Sequence, residues 1–310
     1  MHKAIRSGVS VLAPVSHYGG KGNMKAKLFP LIPYSQLYVE PYFGAGSIFW
    51  NREPSPVEVV NDLHGDLINL MRCFQDDSRC QKLYARLAAT LYSLDEFRLA
   101  LATLKESSDL DDRAWAFYVM RNQGFAGIDV KTDGRWGRNF VSSRGMAQTS
   151  ASWWTRFDEF PKWYQRIARV QIDNRDALVV IKYWDSDDTT FYLDPPYVTE
   201  TRVDSKVYVH EASDEHHKKL VELALTLKGN VTISCYAHAI YKLLEDAGWQ
   251  RLDFETASSA ASKGRGSSCR GAGNIMGNAP RTETVYLNPK ASAALGLAQT
   301  LTFDSLFEEE

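Results

Sequence analysis

Asp194, Pro195, Pro196 and Tyr197 are the residues whose types and order could do chemistry. They put a carboxylate, a proline carbonyl with no competing N–H and an aromatic face within four positions. That set suits an exocyclic amino group on a nucleobase. Such a nitrogen is a poor nucleophile because its lone pair is delocalised into the ring. Acceptors on its N–H bonds help to localise that pair. The Asp194 carboxylate and the Pro195 carbonyl offer two, and Tyr197 offers a ring on which an extruded base can stack. The competing reading is a strand-ending turn with an exposed acid. These four residues do not separate the two.

Something must aim those groups. Phe191-Tyr192-Leu193 is apolar and strand-favouring. Two prolines can neither continue a sheet ladder nor enter a helix, and they hold the residue before them extended. A buried strand is therefore expected to end at Leu193, with the turn projecting from its carboxyl end. Open α/β sheets bind ligands at that edge.

The chain has 310 residues, 44% hydrophobic and 24% charged, enough for one large domain or two. No apolar run reaches transmembrane length, and the N-terminal stretch lacks the apolar segment of a signal peptide. The four cysteines (Cys73, Cys80, Cys235, Cys269) show neither CxxC nor zinc spacing, so no metal is expected and reduced thiols in a cytoplasm are the simplest reading. A net charge of −2 argues against indiscriminate nucleic-acid binding, so such contacts must come from local clusters.

Two further stretches carry ligand signals. His17-Tyr18-Gly19-Gly20-Lys21 combines glycines that allow close backbone approach with a lysine able to meet a carboxylate. A turn before a helix over Met24–Leu31 explains it equally well. Downstream, a strand at Leu37–Val39 runs through Glu40-Pro41-Tyr42 into Phe43-Gly44-Ala45-Gly46-Ser47 and then a helix. Backbone N–H groups there face a ligand. A second strand, Val57–Val60, ends in Asn61-Asp62, with Asp62 placed to hold ribose hydroxyls. The third glycine of a dinucleotide fingerprint is replaced by Phe49. The order strand, GxG, helix, strand, Asp favours an adenosine-type cofactor.

Gly-Gly-Lys near the start, Val-Glu-Pro-Tyr-Phe-Gly-Ala-Gly-Ser, Asn-Asp-Leu-His-Gly-Asp-Leu-Ile and Asp-Pro-Pro-Tyr occur in that order over roughly residues 16–288. This conjunction resembles the D12 (Dam-like) N6-adenine DNA methyltransferases. The resemblance implies an α/β fold: a Rossmann-like, seven-stranded, S-adenosylmethionine-dependent methyltransferase sheet with an inserted, mainly helical target-recognition domain. It divides the chain into a catalytic domain (1–63 and 165–290), the insertion (64–164) and a tail (291–310). It assigns S-adenosyl-L-methionine to His17, Tyr18, Gly20, Lys21, Glu40, Phe43, Gly44, Ala45, Gly46, Ser47, Asp62 and Asp176, and catalysis to Asp194, Pro195, Pro196 and Tyr197. Asp176 falls where a polar group contacts the cofactor adenine; a helix N-cap role for Asn174 or Asp176 is compatible with that. The implied partner is double-stranded DNA, with a cognate restriction enzyme left open. The implied setting is a cytoplasm, with the chain bacterial, prophage- or phage-encoded.

Helical periodicity in Leu67–Phe74, Gln81–Leu91, Leu94–Leu104 and Arg113–Arg121 fits the insertion. Beyond it, Gly124, Gly127, Gly134 and Gly137 suggest a hairpin. From Arg113 to Gly145 there are six basic residues and two acids. Arg121, Asn122, Gln123, Phe125, Lys131, Arg135, Trp136 and Arg138 are the DNA-binding candidates there, by base-edge reading, phosphate contact or stacking. A solvated hairpin with a buried aromatic is the plainer reading. Phe125-Ala126-Gly127 departs from the aromatic-Asn-Gly element typical of Dam-like relatives, so GATC specificity is not carried over. The aromatic run Trp153, Trp154, Phe157, Phe160 and Trp163 reads as core, and His216-His217 as a solvated helix face. The Ser/Gly/Ala-rich segment 256–282, with four basic residues and no acid, is read as a phosphate-engaging loop or a spacer. Other readings of the whole are N4-cytosine methylation, a nicotinamide-dependent dehydrogenase, and an inactive DNA-binding module.

Overall fold

A computed structural model describes residues 11–16, 21–124, 132–138, 141–143, 145–197, 213–256 and 281–297. In chain order the elements are α1 (Lys25–Leu28), β1 (Leu37–Glu40), β2 (Val57–Asn61), α2 (Gly65–Gln75), α3 (Asp77–Ala88), α4 (Leu94–Glu106), α5 (Leu110–Gln123), β3 (Ser142–Ser143), β4 (Met146–Ala147), α6 (Gln148–Thr155), α7 (Phe160–Ile167), β5 (Gln171–Asp173), α8 (Ala177–Tyr183), β6 (Thr189–Leu193), α9 (Asp214–Ala224), β7 (Asn230–Tyr236), α10 (Lys242–Asp246), β8 (Gln250–Thr256), β9 (Arg281–Leu287) and α11 (Pro289–Ala294).

Among the described residues the main sheet has seven strands in the order β5-β2-β1-β6-β7-β9-β8. The pairs from β5 to β7 are parallel, and β9 runs antiparallel to both β7 and β8. This is a mixed α/β fold on a mostly parallel sheet. Every residue of β6 is buried, as a central parallel strand covered on both faces requires. The chain leaves β1 on one side to form β2 and β5, then returns to its other side to form β6. The sheet therefore reverses direction between β1 and β6, and a crevice opens at their carboxyl ends.

Alternation along the strands divides the core in two. Tyr38, Val60 and Tyr192 face the helices between β2 and β5. Val39, Val59, Phe191 and Leu193 face Val180, Leu220 and Leu244 of α8, α9 and α10. α5 is buried continuously from Ala114 to Arg121; a helix enclosed on all sides needs no polar face. Trp153, Phe157, Phe160 and Trp163 are buried around Tyr118 and Phe74, while Trp154 is exposed. Asp76, Ser93, Asp109 and Ser213 cap the helices that follow them by accepting backbone N–H bonds.

The glycine loop does not run into a full helix. It enters only a 3-10 turn, Phe49–Asn51. Pro54 and Pro56 follow within a few residues, and Arg52 is already extended. The histidines also differ from expectation. His217 is fully buried and bonds to the Tyr241 hydroxyl at 2.9 Å, because it shares the inner face of α9 with Leu220, Val221 and Ala224. His216 bonds to the Tyr42 hydroxyl at 2.7 Å, and burial lowers its pKa. The expectations for His17, Tyr18, Gly20, Phe125, Lys131 and most of 256–282 lie outside the described residues.

Candidate active site

β1 delivers the chain to Glu40, and the glycine bend follows. The Phe43 amide donates to the Asn61 carbonyl at 2.9 Å, which ties the bend to the end of β2. Gly44 and Gly46 both sit at positive φ, 50° and 66°, where a side chain is strained. Asp62, just past β2, accepts the Gly44 amide on Oδ2 at 2.8 Å and the His64 amide on Oδ1 at 2.9 Å. Its carboxylate thus shapes the bend, and each oxygen retains a second lone pair. Asp176 caps α8 through the Leu178 amide at 2.8 Å. Ala45 is buried; Ser47 is in the turn that follows, and its carbonyl accepts from Asn51.

Glu40 is buried, and its Oε2 accepts from the Tyr38 hydroxyl at 2.8 Å. Burial pushes its pKa up to about 8, against the pull of the Tyr38 bond; the nearby Asp194 charge adds to the rise.

β6 lies beside β1, with Val39 level with Phe191, so Asp194 emerges next to the glycine bend. Asp194 Oδ1 accepts from Ser234 at 3.0 Å and pairs with Lys21 Nζ at 3.2 Å. Burial raises the Asp194 pKa, while Lys21 and Ser234 restrain the rise. Lys21 is 4% exposed. Its ammonium also reaches the Tyr197 oxygen at 2.5 Å and bonds to Glu283 Oε1. Burial alone would lower its pKa, but Asp194, Tyr197 and Glu283 outweigh that and raise it well above the ordinary value. The Tyr197 ring stacks on Tyr236, centroids 3.9 Å apart and planes 17° apart. Pro195 is buried and Pro196 half-buried at the foot of this group.

The residues thus brought together supply a carboxylate held by two donors, a braced aromatic platform and a glycine bend, all at the reversal point of the sheet. Residues 17–253, well over half of the chain, match the family described as D12 class N6 adenine-specific DNA methyltransferase. The chain belongs to that family. A curated relative, the DNA N-6-adenine-methyltransferase of Escherichia phage P1, is 24% identical over 209 residues. The alignment covers 66% of this chain and 27% of the relative, so the chain spans about a quarter of that relative's length.

In this D12 family member, Lys21 stands apart from its sequence-based assignment. The resemblance assigns it to the cofactor, and its three N–H donors are directed at Asp194, Tyr197 and Glu283. The helical segment also corrects the expectation for three DNA-binding candidates. Gln123 is fully buried, and its amide donates to the Leu91 carbonyl at 2.9 Å. Arg121 is buried over the Phe117 ring. Asn122 accepts the Ser16 amide and donates to the Pro14 carbonyl. All three lie in the last turn of the enclosed α5, so packing claims them. Trp136 bridges back to Gly124 and packs half-buried on Tyr92. Arg135 and Arg138 are exposed.

Sequence reasoning missed Ser234, Tyr236 and Glu283. Ser234 and Tyr236 stand two apart on β7, next to β6, so strand alternation could have flagged them. Glu283 carries no local signal; it reaches the site because β9 pairs with β7 and sets it level with Tyr236. Among the described residues no group of His, Cys, Asp and Glu could hold a metal ion, and no helix is long and apolar enough to cross a membrane.

Proposed function

We propose that this protein transfers a methyl group from S-adenosylmethionine to N6 of adenine in double-stranded DNA. The observation that carries the reading is the adjacency of Asp194 and the glycine bend, which leave neighbouring parallel strands at one edge. A base and a methyl donor held on those two loops would lie side by side.

The residues fit the cofactor. Asp194 and Glu283 face one buried cation, Lys21. The surplus of acid suits a ligand bearing a sulfonium and an ammonium, and Asp62 keeps lone pairs for ribose hydroxyls. Bound there, S-adenosylmethionine supplies an electrophilic methyl group; its transfer leaves a neutral sulfide and releases one amino proton. Asp194, with Oδ1 held by Ser234 and Lys21, presents Oδ2 to an amino N–H. The Pro195 carbonyl takes the second, and Tyr197, braced by Tyr236, stacks on the base. Because the donor is already activated, positioning carries most of the acceleration. In this reading the helices between β2 and β5 form the target-recognition part, with Arg135 and Arg138 available to phosphates.

Modified-base sequencing of DNA from cells expressing the protein tests the reading. N6-methyladenine at one recurring site is expected. Asp194→Ala should lose the mark while S-adenosylhomocysteine affinity stays within about threefold. N4-methylcytosine, an absence of methylation, or an active Asp194→Ala variant would overturn it.

A further inference from the structure

Glu283 lies in β9, two strands from β6, and is 4% exposed. Oε1 takes the Lys21 ammonium, and the Tyr197 hydroxyl donates to both oxygens, at 3.2 Å to Oε2 and 3.4 Å to Oε1. The Tyr197 oxygen in turn accepts from Lys21 at 2.5 Å. The phenol oxygen is therefore held by a donor and an acceptor at once, which anchors that end of the ring, while stacking on Tyr236 sets its plane. The same ammonium is shared between Glu283 and Asp194. Without the Glu283 charge, Lys21 would pair with Asp194 alone, and an acceptor so neutralised is weaker.

We propose that Glu283 is a positioning residue of the methylation site: it anchors the hydroxyl end of Tyr197 and keeps Lys21 from neutralising Asp194. The proposal rests on the adenine-methylation reading above. The charged and titratable groups around Asp194 are Lys21, Tyr192, Tyr197, Cys235, Glu40 and Glu283. Glu283 supplies a negative charge in that group, so its removal should lower the Asp194 pKa.

The experiment starts with the wild type, whose methylated sites define the duplex used afterwards. Single-turnover rates on that duplex are measured against pH, with S-adenosylhomocysteine affinity by calorimetry. Glu283→Gln keeps the shape and an acceptor for Tyr197 but removes the charge. It should lower the rate about tenfold or more, move the acid limb of the profile to lower pH, and leave the affinity within about threefold. Glu283→Asp keeps the charge on a shorter stem, so its rate should fall while its acid limb stays at the wild-type position. This second variant carries the test if Glu283→Gln does not fold. A wild-type rate and acid limb in Glu283→Gln overturn the proposal. So does a rate loss that merely tracks lost affinity, or an Asp variant with a displaced limb. A wild type that leaves adenine unmethylated overturns the functional reading itself, and this proposal with it.

Discussion

The Gly44 amide donates to Oδ2 of Asp62 at 2.8 Å, so the acid after β2 builds the bend after β1. The same carboxylate holds the His64 amide at the start of α2. Asp62→Asn replaces one acceptor with an NH2 group and leaves one of these amides facing a donor. Loss of such a bond costs about 1–3 kcal/mol. Affinity for S-adenosylhomocysteine should fall at least about tenfold by calorimetry, with a lower Tm. Unchanged values for both would rule out this shared role.

Gly46 sits at φ +66°, and an added Cβ would lie 2.4 Å and 2.6 Å from Phe43 ring carbons and 2.9 Å from Trp50 Nε1. Both rings are buried among other aromatics and have little room to yield. Gly46→Ala should destabilise the fold by about 2 kcal/mol or more, read as a lower urea midpoint. A midpoint equal to wild type would mean the bend relaxes freely.

Glu40 gives a pH signature. Burial raises its folded pKa from 4.5 to about 8. Between those values the folded state holds a proton that the unfolded state releases. The stability this confers is complete below the unfolded pKa and is lost as pH rises through about 8. Glu40→Gln stays neutral and keeps an acceptor for Tyr38. Its Tm should match wild type near pH 5 and exceed it by about 2–5 °C at pH 8.5 in the cofactor-free protein. A difference that does not grow with pH would contradict the assignment.

Arg135 and Arg138 flank Trp136 and are exposed on the helical side. If they meet phosphates, Arg135→Ala with Arg138→Ala should weaken binding to all duplexes alike. The slope of log K against log salt should become shallower by about 1–2. Binding with an unaltered salt slope would place the DNA elsewhere.

Much of the site was legible in order along the chain. A double proline must end a strand, GxG must make a tight bend, and an acid after the next strand must lie near that bend. These are constraints of backbone geometry within a few residues, and so is the cap of α8 at Asp176. Composition misled at Arg121 and Gln123. Their polar types suggest a surface, while α5 is enclosed by its neighbours and the Gln123 amide donates to the Leu91 carbonyl. His217 differs from its polar type for the same reason, since the inner face of α9 is defined only once the helix is docked.

The sequence by itself determined the local devices: where strands stop, where the chain bends, which side chains could carry chemistry. Tertiary structure alone decided that Glu283, 262 positions from Lys21, shares its ammonium with Asp194. That contact depends on the antiparallel register of β9 on β7 and on burial, which makes each charge seek a partner. Neither property belongs to any single stretch of chain.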